Sequence, residues 1–235
     1  MEFTGRRIDG ELPGRQGRLL TAYLVVHRLR PIRRDELVDA LWPDRPPAAA
    51  DAALRALLSK LRRVLPPGSL DGRTVLHLKL PADAFVDLEV AREAIHRAES
   101  AVAQAHWHQA WVSSMTPMFT ARRGFFADED GDWIAHIRAE LDDLYLRSLE
   151  CYAHACLELG GTELAGAERA GREMIDRAPY RESGYRHLMR TLKQTGNTAE
   201  ALRVYERLRV RLRDELGIAP SADTLEVHAE LLGPG

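Results

Sequence analysis

Apolar and polar positions separate most sharply between residues 48 and 65, AAADAALRALLSKLRRVL. Wound at roughly 100° per residue, this stretch predicts one helix. Leu54, Leu57, Leu58, Leu61, Val64 and Leu65 then share an arc roughly 120° wide, the width of a core-facing stripe. Arg55, Ser59, Lys60, Arg62 and Arg63 fill the opposite side, with no acid after Asp51. A solvated helix face ordinarily mixes both signs of charge. A helix that is apolar on one side and purely cationic on the other suits a polyanion, first of all DNA. A basic amphipathic helix on an ordinary protein surface is the competing account, so its surroundings decide.

Upstream, Phe3 and Ile8 stand among Gly5, Gly10 and Pro13, which predicts short strands rather than a helix. Residues 18–28 place Leu19, Leu20, Tyr23, Leu24 and His27 on one side of a helix. Pro31 and Ile32 make a brief extended connector. RRDELVDALW, residues 33–42, predicts a second helix; Pro43 stops it, and PDRPP (43–47) forms a stiff loop. Pro66, Pro67 and Gly68 end the basic helix. A hairpin follows, with Leu70, a turn at Asp71-Gly72, and Val75, His77 and Lys79 alternating with Leu76, Leu78 and Leu80. Short strands, three helices and a hairpin are the order of a winged helix, whose third helix enters the major groove.

From Val86 onward the pattern is helical, over roughly 87–103, 105–114, 133–159, 163–178, 183–194, 198–215 and 221–232. Thr162, Ala167 and Met174 recur 34 residues later as Gly196, Ala201 and Leu208, while Pro179 has its counterpart displaced to Pro220. That period is tetratricopeptide-like, and such helical pairs stack to present a concave surface to other proteins. The predicted fold class is therefore mainly α: an N-terminal winged helix-turn-helix with a short sheet over residues 1–82, then an all-α tetratricopeptide-like domain over 84–235.

Charge divides the chain in the same place. Residues 1–80 hold 15 Lys and Arg against 9 Asp and Glu; the remainder holds 18 against 26. The first part is thus suited to a polyanion and the second is not. At 45% hydrophobic and 29% charged residues, the 235-residue chain reads as globular rather than disordered. No apolar run reaches the ~18 residues of a membrane span, and the N-terminus lacks the apolar core of a signal peptide. Two cysteines, Cys151 and Cys156, make no disulfide framework, and a reducing cytoplasm is the expected location.

With RRDELVDALWPDRPPAAA and LRALLSKLRRVL in the first part, and WIAHIRAEL, AERAGREMIDRAPYRESGYRHLM and GNTAEALRVYERLRVRLRDELGIAPS in the second, the chain resembles the actinobacterial antibiotic regulatory proteins. The resemblance runs over nearly the whole length. It implies a response-regulator-type winged helix followed by a bacterial transcriptional activator domain. It also implies an activator binding direct repeats in double-stranded promoter DNA, as a homodimer, and recruiting RNA polymerase holoenzyme. Carried onto this sequence, Arg55, Ser59, Arg62 and Arg63 are the candidate base and phosphate contacts. Lys60 and Arg73, beside the hairpin turn, are candidates for phosphates. The loop before the third helix makes Asp44 and Arg45 the candidate polymerase contacts, while Trp42 reads as core. The chain departs from the family in its short N-terminal sheet, in Thr74-Val75-Leu76-His77 where wings often carry Gly-Tyr, and in the expectation of a stand-alone regulator without an attached sensor module.

Other constellations stay bland. Cys151 and Cys156, five apart on a helix, differ by about 140° and cannot share a metal, so they read as small core residues. His106 and His108 flank Trp107 at a spacing that leaves them on different helix faces. GRQG (14–17) reads as glycines opening a helix, and Asp142-Asp143 as a solvated face. No catalytic centre, metal site or cofactor motif is expected. The remaining alternative is a tetratricopeptide-like interaction or sensor module with a vestigial basic helix.

Overall fold

The computed structural model describes residues 2–3, 6–7, 10–12, 14–81 and 84–233. The chain divides into two units, one of 1–88 with 125–137, the other of 89–124 with 138–235. The first division falls at 88/89, close to the cut expected between 82 and 84, and one later stretch is added to the first unit. Residues 82 and 83 lie outside the described residues, and the first unit reaches forward in the sequence to take in 125–137. The physical reason is apolar. Phe125, Phe126 and Trp133 pack on the first unit's core, and Ile134 is buried within it.

In the first unit, β1 (Glu2–Phe3) pairs antiparallel with β2 (Arg6–Arg7); Ile8, expected beside them, lies outside the described residues. Helix α1 is Gly14–Val26, so it begins at GRQG, with Gly17 buried. Strand β3 (Ile32–Arg33) runs into α2 (Arg34–Leu41), whose start is braced by the Arg33 amide donating to Glu36 Oε1 at 3.2 Å. The third helix, α3, is Ala50–Val64. The hairpin is β4 (Leu70–Asp71) and β5 (Val75–Leu78), with β5 central between β3 and β4. Ile32, expected as a connector, thus becomes a sheet residue paired with Leu76. Leu20, Leu24, Leu37, Leu54, Leu58, Leu61 and Leu76 are fully or almost fully buried in one core, and Trp42 packs at its edge. Along α3 the buried residues recur at i, i+4 and i+7, the spacing that turns one helix face inward.

The second unit is helical. Its elements are α4 (Asp87–Ala103, whose first two residues belong to the first unit), α5 (Trp107–Arg122), α6 (Asp132–Leu159, which starts in the first unit), α7 (Leu164–Arg177), α8 (Glu182–Gln194), α9 (Thr198–Arg211) and α10 (Ala222–Leu232). Helix α5 runs beyond the expected 114 and carries Pro117 inside it. The 34-residue correspondence has a packing meaning. Ala167 and Ala201 are fully buried at equivalent positions, and Met174 and Leu208 are buried two turns later on the same face. Helices α7 and α8 approach closely because Gly171 and Gly184 lack side chains. A Cβ on Gly184 would stand 2.9 Å from that of Met174, and one on Gly171 3.1 Å from that of Leu188. After α9 a π-turn, Leu212–Leu216, ends at Gly217 in the left-handed region, φ 69°, and α10 folds back so that Val227 and Leu231 join the core of α8 and α9. Cys151 and Cys156 are buried, and burial pushes their thiols up to about 12 and about 11. Among the described residues no helix is long and apolar enough to cross a membrane.

Candidate nucleic-acid interface

The inward leucines of α3 fix what the helix shows outward. Arg55, Ser59, Lys60, Arg62 and Arg63 are all exposed, as the helical arc predicts. They do not all stand in the same state. Arg55 Nη2 donates to Asp51 Oδ2 at 2.9 Å, one turn back along the helix. Asp51 also accepts from Arg34 of α2, at 3.3 Å from Nε and 3.0 Å from Nη2. These two arginines hold the Asp51 carboxyl below its ordinary range, with Arg34 contributing more. So the one acid on this helix is neutralised locally, and beyond it the outward side is cationic.

Arg62 is not a free side chain. Its Nε donates to the Leu70 carbonyl at 3.3 Å and its Nη2 to the Gly72 carbonyl at 2.7 Å, both in the hairpin. Among the described residues Lys60 and Arg63 have no ion pair or side-chain hydrogen bond, and Ser59 has none through its hydroxyl. Arg73 lies exposed at the hairpin turn with its side chain equally unengaged. The turn itself requires glycine. Gly72 has φ +90°, and a Cβ there would stand 1.8 Å from the Val75 carbonyl oxygen. Asp71 caps the same turn by accepting from the Gly72 amide at 2.7 Å, and pairs with Lys79 at 3.3 Å.

Asp44 and Arg45 are exposed in the loop between α2 and α3, without a partner among the described residues. The end of α2 that carries this loop is held from a distant part of the chain. Trp133 Nε1 donates to the Ala40 carbonyl at 3.1 Å, one of the helix-terminal carbonyls left without an intrahelical donor. The Trp133 ring stands edge-on to Tyr23 of α1 at 5.2 Å and to Phe125 at 5.7 Å. Arg15 of α1 grips the buried Glu129, its Nε donating to both carboxylate oxygens at 2.8 and 2.6 Å. Sequence reasoning missed Arg34 and this 125–137 strap. Arg34 looked like part of a charged helix start. The only trace of the strap was a Gly-Phe-Phe run where the helical pattern breaks after Arg123.

The second unit offers a groove of about 790 Å³ between α7, α8, α9 and the π-turn, floored by Ile175, Leu188 and Val210. Most of its charges are mutually engaged: Arg172 bridges Glu168 and Glu200, and Arg211 donates to the Tyr185 hydroxyl at 2.7 Å. His106 and His108 are exposed on either side of Trp107. Among the described residues no cluster of three or more His, Cys, Asp or Glu is placed to hold a metal ion.

The sequence profile of the Bacterial transcriptional activator domain matches residues 86–232. The chain belongs to that family. This bacterial transcriptional activator domain spans α4 to α10, and it includes the 125–137 strap that packs with the first unit. Relatives extend over both units. The chain is 32% identical to Regulatory protein AfsR of Streptomyces coelicolor across 92% of this chain and 22% of that protein. It is 28% identical to Transcriptional regulatory protein EmbR of Mycobacterium tuberculosis across 92% and 57%, and 25% identical to Transcriptional regulatory protein MoaR1 of the same organism across 92% and 71%. The chain thus spans about a fifth of AfsR and under three-fifths of EmbR. The solved structure of Mycobacterium tuberculosis EmbR in complex with a low affinity phosphopeptide superposes with a TM-score of 0.82 at 23% identity, over 92% of this chain and 59% of that one. That likeness establishes the fold: a winged helix-turn-helix followed by the helical activator domain.

Proposed function

We propose that this chain is a sequence-specific DNA-binding transcription activator. The observation that carries the reading is the outward side of α3, where Arg55, Ser59, Lys60, Arg62 and Arg63 are exposed with no acid beyond Asp51, over a leucine core that leaves the helix no other face to present. An α-helix fits the B-form major groove, where arginine reads guanine and a hydroxyl reaches a base or a phosphate. In this reading Lys60 and Arg63, unengaged, take phosphates or bases first. Arg73 on the wing takes a flanking phosphate. Direct-repeat promoter sites, a homodimer and recruitment of RNA polymerase holoenzyme through the loop bearing Asp44 and Arg45 are the finer parts of the proposal. The exposure of that loop supports the last of these, and the relatives, named as regulatory and transcriptional regulatory proteins, fit the reading as a whole. In this reading the chain works where promoter DNA lies, in the cytoplasm.

The experiment is selection of bound sequences from a random duplex pool by the full chain, followed by titration of the winning site and a scrambled one. Enrichment of a defined motif that is lost in a Lys60→Ala/Arg63→Ala variant of unchanged stability supports the proposal. Absence of enrichment together with weak, sequence-blind binding overturns it.

A further inference from the structure

The two arginines that grip the hairpin tip do so from different helices, and they take adjacent carbonyls. Arg62, near the end of α3, holds the carbonyls of Leu70 and Gly72. Arg34, at the start of α2, reaches the carbonyl of Arg73 with Nη1 at 3.4 Å while its other nitrogens hold Asp51. The β4–β5 ladder pairs Leu70 with Leu78 and Asp71 with His77. The Gly72 and Arg73 carbonyls lie beyond these pairs, where among the described residues no strand partner supplies a donor. Among the described residues strand β3 pairs only with β5, at Leu76 and Val75, so on the β4 side of the turn these arginines are the support. Gly72 leaves the turn without a side chain of its own to hold it, since its φ of +90° and the Val75 oxygen exclude one.

We propose that Arg62 is the residue that positions the wing for DNA, rather than a reader of bases. With Arg34 it fixes the tip beside α3, so that the unengaged Arg73 side chain meets the sugar–phosphate backbone flanking the major-groove contact. The side-on edge of the Arg62 guanidinium, Nε with Nη2, is occupied by the hairpin. To pair bidentately with guanine through that edge Arg62 would have to give up both carbonyls, and the end-on edge, Nη1 with the second Nη2 hydrogen, would have to reach a base while the hairpin holds Nε and Nη2 in place. The structural half of this inference stands on the free protein; its functional half rests on the DNA-binding reading above, and the experiment separates the two.

Amide exchange of the full chain, free in solution, is compared for wild type, Arg62→Ala, Arg62→Lys and Lys60→Ala. Two exposed hydrogen bonds of ordinary strength correspond to roughly five- to tenfold in a local opening equilibrium. Arg62→Ala is expected to speed exchange over residues 70–78 by about that factor, Arg62→Lys by less, and Lys60→Ala not at all. On selected DNA, Arg62→Ala is expected to keep the base preference at every position while losing hydroxyl-radical protection of the flanking backbone. Adding Arg73→Ala to it should cost little more. Unchanged hairpin exchange in Arg62→Ala overturns the positioning role whatever the DNA does. Faster exchange with relaxed preference at one base and an intact flanking footprint makes Arg62 a base reader and overturns it as well. Faster exchange in a protein whose wild type binds no DNA refutes the functional half alone.

Discussion

Replacing Trp133 by alanine should unfold the first unit preferentially, although Trp133 lies 51 residues past the expected end of that unit. The side chain is half-buried against Tyr23, Phe125 and Phe126, and its indole supplies the donor for the Ala40 carbonyl. Removing a large aromatic from a full core costs about 3–5 kcal/mol. Partial exposure puts Trp133→Ala near the lower bound, at about 3 kcal/mol. Trp133→Phe keeps most of the ring contact and loses the hydrogen bond, worth about 1 kcal/mol. In a unit of about 100 residues, 3 kcal/mol is a large share of a typical stability of about 5–15 kcal/mol and lowers Tm by roughly 12–20 °C. The assay is amide exchange resolved by peptide during a urea titration of the full chain. The midpoint for α1, α2 and α3 should fall while that for α8 and α9 holds. If α1–α3 in Trp133→Ala stay within about 0.5 kcal/mol of wild type, or if residues 1–88 alone fold as stably as the full chain, the assignment of the 125–137 strap to this unit is wrong.

Further outcomes follow from single contacts. Leu61→Ala, beside Arg62 but fully buried, should cost about 2–5 kcal/mol of stability and weaken DNA binding only in proportion to the unfolded fraction, which parallel melts and titrations will read. Gly72→Ala should cost more than about 2 kcal/mol in the hairpin, since it combines a positive φ with a 1.8 Å clash, and exchange over 70–78 will report it. Burial pushes His187 down to about 3 and lowers His154 beside it, with 5.5 Å between ring centroids. The His187 ring stays neutral in the folded unit down to about 3 and charges on unfolding below its ordinary value of about 6.5. Its contribution to the second unit's stability is therefore complete above that pH and declines as pH falls toward 3, by at most about 1.4 kcal/mol per pH unit, and the lowered His154 acts in the same direction. A His187→Gln variant should flatten that dependence in pH-resolved urea melts, and an unchanged slope would contradict the assignment.

The helices were legible because their signal is local. Leu54, Leu58 and Leu61 lie on one face by spacing alone, and the buried alanines at 167 and 201 were visible as a period. The wing's alternation also survived, with Leu76 and Leu78 in and Val75 and His77 out. What the sequence hid is long-range. Nothing near Ile32 announces that it pairs with Leu76, because two-residue strands carry no periodicity of their own. Nothing near Trp133 names Ala40 as its partner, so the packing of 125–137 with the first unit is not legible in the sequence. Arg62 shows the finer limit. Its place on the cationic arc was read correctly, yet the arc gives a direction and not a partner, and the carbonyls of Leu70 and Gly72 reach it first. Pro117 within α5 is a further case: a proline usually ends a helix, and here the helix continues through Arg122 with the ring buried.

The account turns on whether the outward side of α3 carries a phosphate-neutralising contact, and the salt dependence of binding measures that directly. Affinity of the full chain for its selected duplex should be titrated between about 50 and 200 mM salt, for wild type and for Lys60→Ala/Arg63→Ala. With about 4–5 phosphates neutralised, log K should fall against log[salt] with a slope near −4, and the double variant should lose roughly two units of that slope while melting as wild type does. A wild-type slope near zero, or a slope that the double variant leaves unchanged, would contradict the assignment of α3 as the DNA-binding helix.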